Sequence, residues 1–262
     1  MPLDPKSGVY FEVHGPRTNT GPALMIALPL MASHTQVFGA DSAAMLRGYL
    51  DRLVDAYQVI LVDYPSIGRS RDIAPEDLTA ERVTRDLLSV ASAAGFERFA
   101  YWGYSWSGAV GLQLASRTDR LTALVIGGWP ALGGPYEEIL RAATIKLARP
   151  ESSSLVVLRS PAQYAQWLHF YRSVLSWRES DSVRAIRCPC MQQFGAAGDL
   201  IEAGVSVPIA SRIRSQRSEL ESLGWTVNEI AGFGHEVAMK PELCVPAVRV
   251  FLDRVLAPAQ VA

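Results

Sequence analysis

Cysteine is scarce in this chain. Three residues in 262, at positions 188, 190 and 244, make no disulfide framework. Cys188 and Cys190 lie two apart on an expected strand and share a face, yet neither forms a zinc-knuckle spacing with Cys244. All three read as small buried hydrophobes. An excess of one charge is missing too: 25 Lys and Arg against 26 Asp and Glu leave a net charge of −1. Such a balance gives no reason to expect nucleic acid or an anionic membrane as partner. No 18 uncharged apolar residues follow one another, which argues against a membrane span. The polar, proline-broken start Met1-Pro2-Leu3-Asp4-Pro5-Lys6 shows no secretory signal, so a reduced, cytoplasmic setting is expected. Repeats and low-complexity tracts are absent. What is there is 49% hydrophobic and 19% charged, enough to bury a large core, at a length suited to one α/β domain carrying an insertion.

Short apolar runs alternate with helical patterns, which predicts a mostly parallel sheet covered on both faces. Strands are expected at Val9 to His14, Ala23 to Leu28, Gln58 to Asp63, Arg98 to Gly103, Leu121 to Ile126, Pro189 to Phe194 and Trp225 to Ile230. A turn is expected from Gly15-Pro16 to Gly21-Pro22. Asp41 or Ser42 would cap a helix to about Val54. From Thr79, Val83, Leu87, Val90, Ala91 and Ala94 recur at helical spacing until Gly95. Pro241 opens the last helix. The rhythm breaks after Gly128. Residues 135–186 hold helical segments without a strand pattern, rich in large aromatics and divided by Pro150 and Pro161. They predict a helical cap inserted into a core formed by 1–134 and 187–262.

The sharpest chemical signal is Gly103-Tyr104-Ser105-Trp106-Ser107-Gly108, between an expected strand and an expected helix. A serine at the tip of such a turn has its Oγ pushed out above the sheet, and the helix amino terminus favours a developing oxyanion. The small residues Gly103, Ser107, Gly108 and Gly111 let the strained backbone and the helix approach. The segment resembles the nucleophile elbow of the α/β-hydrolase fold, with Ser107 in place of the usual last glycine. Asp63-Tyr64-Pro65-Ser66-Ile67-Gly68-Arg69-Ser70 is similar to that family's loop after its third strand, with Ser66 for one glycine.

The resemblance implies a catalytic histidine after the last strand, where Gly232-Phe233-Gly234-His235 stands. Of the three other histidines, His14 is in the first strand, His169 in the cap and His34 in the loop after the second strand, where it could line the site although a surface position is the leading expectation. The resemblance further implies an acid after the strand that follows the cap. Gln193-Phe194-Gly195-Ala196-Ala197-Gly198-Asp199 occupies that place and nominates Asp199, with Glu202 in reserve, although the family's Gly-to-Asp spacing of three is four here. The alternative acid position, after Gly127-Gly128-Trp129-Pro130-Ala131, offers no carboxylate until Glu137. Pro29 and Leu30 stand where the family has a His-Gly pair. By position the oxyanion donors are the backbone N–H groups of Trp106 and Met31, since proline has none.

These parts imply a serine hydrolase acting through an acyl-enzyme at Ser105 on a small to medium, largely apolar carboxylic ester, lactone or thioester. The alternative is a lyase, a C–C bond hydrolase or a non-hydrolytic binder of a small ligand using the same cavity. Leu30, Trp129, Trp167, Phe170 and Tyr171 are the expected substrate-binding residues, and Glu137, Arg141 and Lys146 a solvated face of the cap. A serine at the elbow excludes the branches of the fold that place an aspartate there. No glycine-rich dinucleotide loop, P-loop or metal-ligand spacing is present, so neither cofactor nor metal is expected. The partner is a small-molecule substrate; assembly with further copies of the chain is left open.

Overall fold

A computed structural model of the chain describes residues 3–16, 21–27, 29–149 and 156–257. Parts of the turn expected over 15–22, the last residue of the strand expected to end at Leu28, and Pro150 lie outside them. The main sheet contains β1 (Phe11–His14), β2 (Ala23–Ala27), β3 (Gln58–Val62), β4 (Phe99–Tyr104), β5 (Leu121–Gly127), β6 (Cys190–Gly195) and β9 (Thr226–Ile230). Their order in space is β1-β3-β2-β4-β5-β6-β9. β1 pairs antiparallel with β3, and every other neighbour is parallel.

The central strands are apolar along their whole length because both faces are covered. Alternation then sends side chains to opposite layers. Met25, Tyr101 and Ile126 pack under α3 (Ala80–Ala93) and α4 (Trp106–Ala115). Leu24, Trp102 and Val125 pack under α2 (Ala43–Leu50) and α9 (Pro241–Leu256). In α3 the Thr79 side chain accepts from the Arg82 N–H as an N-cap, and Gly95 at φ 89° ends the helix.

Chain direction across the sheet reverses between β2 and β4: β3 lies on one side of that pair and β5 on the other. In open parallel sheets, ligands bind at the carboxyl ends of strands flanking such a reversal. Between β5 and β6 come the helices α5 (Tyr136–Ala148), α6 (Ala165–Val174) and α7 (Glu179–Arg184). Two elements differ from expectation near that edge. The loop after β2 contains a short helix, α1 (His34–Phe38), and the loop after β6 contains a hairpin of β7 (Leu200–Glu202) and β8 (Val205–Val207) turned by Ala203 and Gly204, both at positive φ. The helix expected to reach Val54 ends at Leu50 and continues as turns. α8 (Ala210–Ser222) follows the hairpin.

Candidate active site

Ser105 sits at φ 56° and ψ −127°, a conformation that L-residues rarely hold. Its N–H donates to the Gly127 carbonyl on the neighbouring strand end at 2.8 Å, which pins the turn. A Cβ at Gly103 would overlap the Ser107 carbonyl, so only glycine lets β4 and α4 meet this closely. Ser107, standing for a glycine, is fully buried and its Oγ accepts from the Tyr64 hydroxyl at 2.9 Å. Tyr101 donates to the Ser107 carbonyl at 3.0 Å. The hydroxyl introduced by that departure is therefore paired, as a buried hydroxyl must be. Ser66 likewise takes positive φ, 63°, and its Oγ accepts from the Ile73 N–H at 3.1 Å.

His235 begins a helical turn after β9, and its Nε2 lies 2.9 Å from Ser105 Oγ. Tyr104, one residue before the serine, donates its hydroxyl to the His235 carbonyl at 3.0 Å and packs its ring 5.1 Å from the imidazole. Ala197 N–H donates to the Phe233 carbonyl at 2.9 Å, stitching the histidine segment to the loop after β6. Burial pushes the imidazole down to about 4, so it is neutral at pH 7 and able to accept a proton at Nε2.

Asp199, expected as the acid, is not brought to this histidine. Its Oδ1 accepts the N–H groups of Ile209 at 2.7 Å and Ser211 at 3.0 Å, at the head of α8. Burial raises that carboxyl, but the N–H donors outweigh it and hold it below the usual range. The reason is the extra residue in the loop. The turn closed by Gly198 N–H on the Gly195 carbonyl puts Gly198, not Asp199, beside the histidine's backbone, where a Cβ would lie 3.7 Å from the His235 main-chain nitrogen. Glu202, the reserve, pairs with Lys146. Glu236 turns an oxygen back to the Gly234 N–H at 2.9 Å. His235 Nδ1 is buried and has no hydrogen-bond partner among the described residues.

The comparisons agree on the architecture. A family model described as the alpha/beta hydrolase fold matches residues 39–138. A solved esterase from Thermogutta terrifontis superposes with TM-score 0.66 at 19% identity, covering 95% of this chain and 94% of that one. An enol-lactonase from Burkholderia xenovorans gives TM-score 0.69 at 17% identity, over 93% and 96%. The chain has the α/β-hydrolase fold. A relative from Agrobacterium fabrum, named "Putative carbamate hydrolase RutD", is 27% identical over 123 residues, 46% of this chain; the chain spans less than half of that relative's length, 44%.

Two cavities open on the elbow serine, and both are lined by Ser105 and His235. The first, about 310 Å³, runs under α5 and α6, with Ile139, Ala143, Tyr164 and Trp167 in its wall and Leu200 and Glu202 from the hairpin. The second, about 380 Å³, lies between α1, α2 and the helical turn at residues 235–239. Of the expected substrate-binding aromatics, Trp167 and Tyr171 line the first cavity. Phe170 is fully buried behind it and packs its ring 5.0 Å from that of Trp106. Trp129 is buried against Tyr136 and Tyr171, and Leu30 against the α2 and α9 layer; neither is in the wall of these two cavities. Within α6, Trp167 and Tyr171 are four apart and share a face; Phe170, three after Trp167, also packs on Trp106 but sits deeper, fully buried.

Of the two places the sequence left for His34, the structure favours the site over the surface: it is buried and lines the second cavity, both ring nitrogens without a hydrogen-bond partner among the described residues. Lys146 is drawn into its pair with Glu202 instead of facing solvent. Among the described residues no cluster of three potential metal ligands occurs, and no helix is long and apolar enough to cross a membrane.

Proposed function

We propose that this chain is a serine hydrolase that cleaves a largely apolar carboxylic ester through an acyl-enzyme at Ser105. The observation that carries this is the 2.9 Å approach of a neutral, buried His235 Nε2 to a serine held at the tip of a strained turn. Ser105 Oγ attacks the carbonyl while Nε2 takes its proton, then returns it to the leaving oxygen; water reverses the sequence to release the acid. The Trp106 N–H, first of α4 and so without an intrahelical acceptor, and the Met31 N–H beyond β2 hold the oxyanion. The register Ala27 to Gly103 brings those two loops to the same sheet edge.

Asp199 has no part in this scheme, which runs on a Ser105–His235 pair. A base without a carboxylate partner forms its imidazolium at a cost, and loss of that partner in a triad typically lowers the rate about 10⁴-fold. Turnover is therefore modest and fastest on activated esters. The curated relative's name and those of the two solved neighbours all denote attack on a carbonyl, the chemistry this pair provides. The unpartnered Nδ1 is the one observation that favours a non-hydrolytic binder or lyase.

A panel of p-nitrophenyl esters tests the reading. Ser105→Ala and His235→Ala should each remove most of the turnover, and the double variant little more, because the two act as one unit. Losses that multiply would contradict the coupled pair.

A further inference from the structure

Cys188, expected as a small buried hydrophobe, is only half-buried, whereas Cys190 and Cys244 are buried. It lines a cavity of about 760 Å³ far from the elbow. Arg98 and Cys188 stand just before β4 and β6, while Ser105 stands just after β4, so the two sites occupy opposite edges of the sheet. Arg98, Arg117 and Arg187 line the same cavity, against one carboxylate, Asp119, among the described residues. Arg98 donates to the Asp119 carbonyl at 3.2 Å, and Arg117 to the Gln113 side-chain oxygen at 2.6 Å. Among the described residues no ion pair neutralises any of the three, so the cavity is electropositive in a chain of net charge −1.

Cys190 Sγ sits 3.2 Å from the Cys188 carbonyl, turned back toward its neighbour. Hydrogen bonding between the two thiols holds that of Cys188 below its ordinary range against the opposing effect of burial, and Arg98 acts in the same direction. The Cys190 thiol is pushed up and keeps its proton. A partly exposed thiol among cations is the reactive kind, because the thiolate is the nucleophile. We propose that Cys188 is a site of reversible thiolation by anionic low-molecular-weight disulfides, which the three arginines draw into the cavity. The Cys188 thiolate attacks one sulfur of the disulfide, and that S–S bond breaks as the new one forms. The other sulfur leaves as a thiolate and takes up the proton that Cys188 released, so one disulfide is exchanged for another. Cys190 and Cys244 stay out of the reaction, the latter buried with its Sγ 3.1 Å from the Val237 carbonyl.

Glutathione disulfide, an anion, and cystamine, a dication, are the probes, used at neutral pH and low salt with intact-mass detection. Each rate is divided by the rate of the same disulfide with a free small thiol, which removes intrinsic reactivity. The corrected ratio should favour glutathione disulfide about tenfold, the lower end of what a charged cleft supplies, and should fall as salt is added. One adduct per chain is expected, and none in Cys188→Ser. Arg98→Gln with Arg187→Gln should bring the ratio to about one, while Arg98→Lys, which keeps the charge, should preserve it. A folded parent chain that takes no adduct, an adduct that survives in Cys188→Ser, or a ratio unmoved by the paired arginine variant would overturn the proposal. Ester turnover plays no part in this readout, so it stands or falls apart from the hydrolytic reading.

Discussion

Burial sets the working range of His235. Desolvation holds its imidazole at about 4, against an ordinary 6.5, and the base must be neutral to act. The expected kcat/KM is flat through neutrality and falls only as pH drops through about 4; a pH–rate profile with an acid limb near 6.5 would contradict this environment. Stability shares the sign. Between 6.5 and about 4 the unfolded chain takes up a proton that the folded chain refuses, so the fold weakens as pH falls through that window. In the proposed scheme Asp199, bonded to the head of α8, acts on stability rather than rate. Asp199→Ala should cost about 1 kcal/mol in urea unfolding, the value of a lost helix cap, with kcat/KM unchanged. A large loss of kcat would return the carboxylate to the histidine. The approach of His235 to Ser105 was legible in the sequence because the glycine and serine punctuation around them is local. The place of Asp199 was not, because a single extra loop residue carries it past the turn to the head of α8. Nor was the burial of His34, which depends on Phe38 and the following helix folding back over it.

Elements, rather than single side chains, hold the pair in register. Ser105 is fixed by β4, α4 and its bond to the end of β5; His235 is fixed by the loop after β6, where the Gly195 position touches the Gly234 carbonyl. A Cβ at Gly195 would overlap that oxygen and push the histidine segment away. Gly195→Ala should therefore lower kcat about 10²-fold, the scale of a misplacement near 1 Å, with a smaller effect on melting temperature. Activity at the parent level would mean the segment is free to move without consequence. Parallel strands buried on both faces and α3 with its Thr79 cap announce themselves by pattern. The β7–β8 hairpin does not, since its strands are three residues each and only the Ala203-Gly204 turn marks it. α1 is five residues with no side-chain cap, too short to carry a period.

At the scale of the molecule, the sheet reversal between β2 and β4 brings the Met31 loop beside the elbow, while the helices between β5 and β6 roof one of the two chambers. Arg159, beyond α5, donates to the carbonyls of Gly68 at 2.6 Å and Ser70 at 2.5 Å, tying that roof to the loop after β3. The loop is itself clamped by buried Asp63, which accepts from the N–H groups of Ser33 and Arg69, both at 2.9 Å. The break in strand rhythm after Gly128 marked where the roof helices come; which of their aromatics face the cavity depended on how they dock. All these elements converge on Ser105, and one measurement asks whether it reacts. Intact-mass analysis after fluorophosphonate treatment, with Ser105→Ala alongside, should show a single adduct per chain that vanishes in the variant. A folded chain that takes no adduct, or an adduct that survives in Ser105→Ala, would contradict Ser105 as the activated serine.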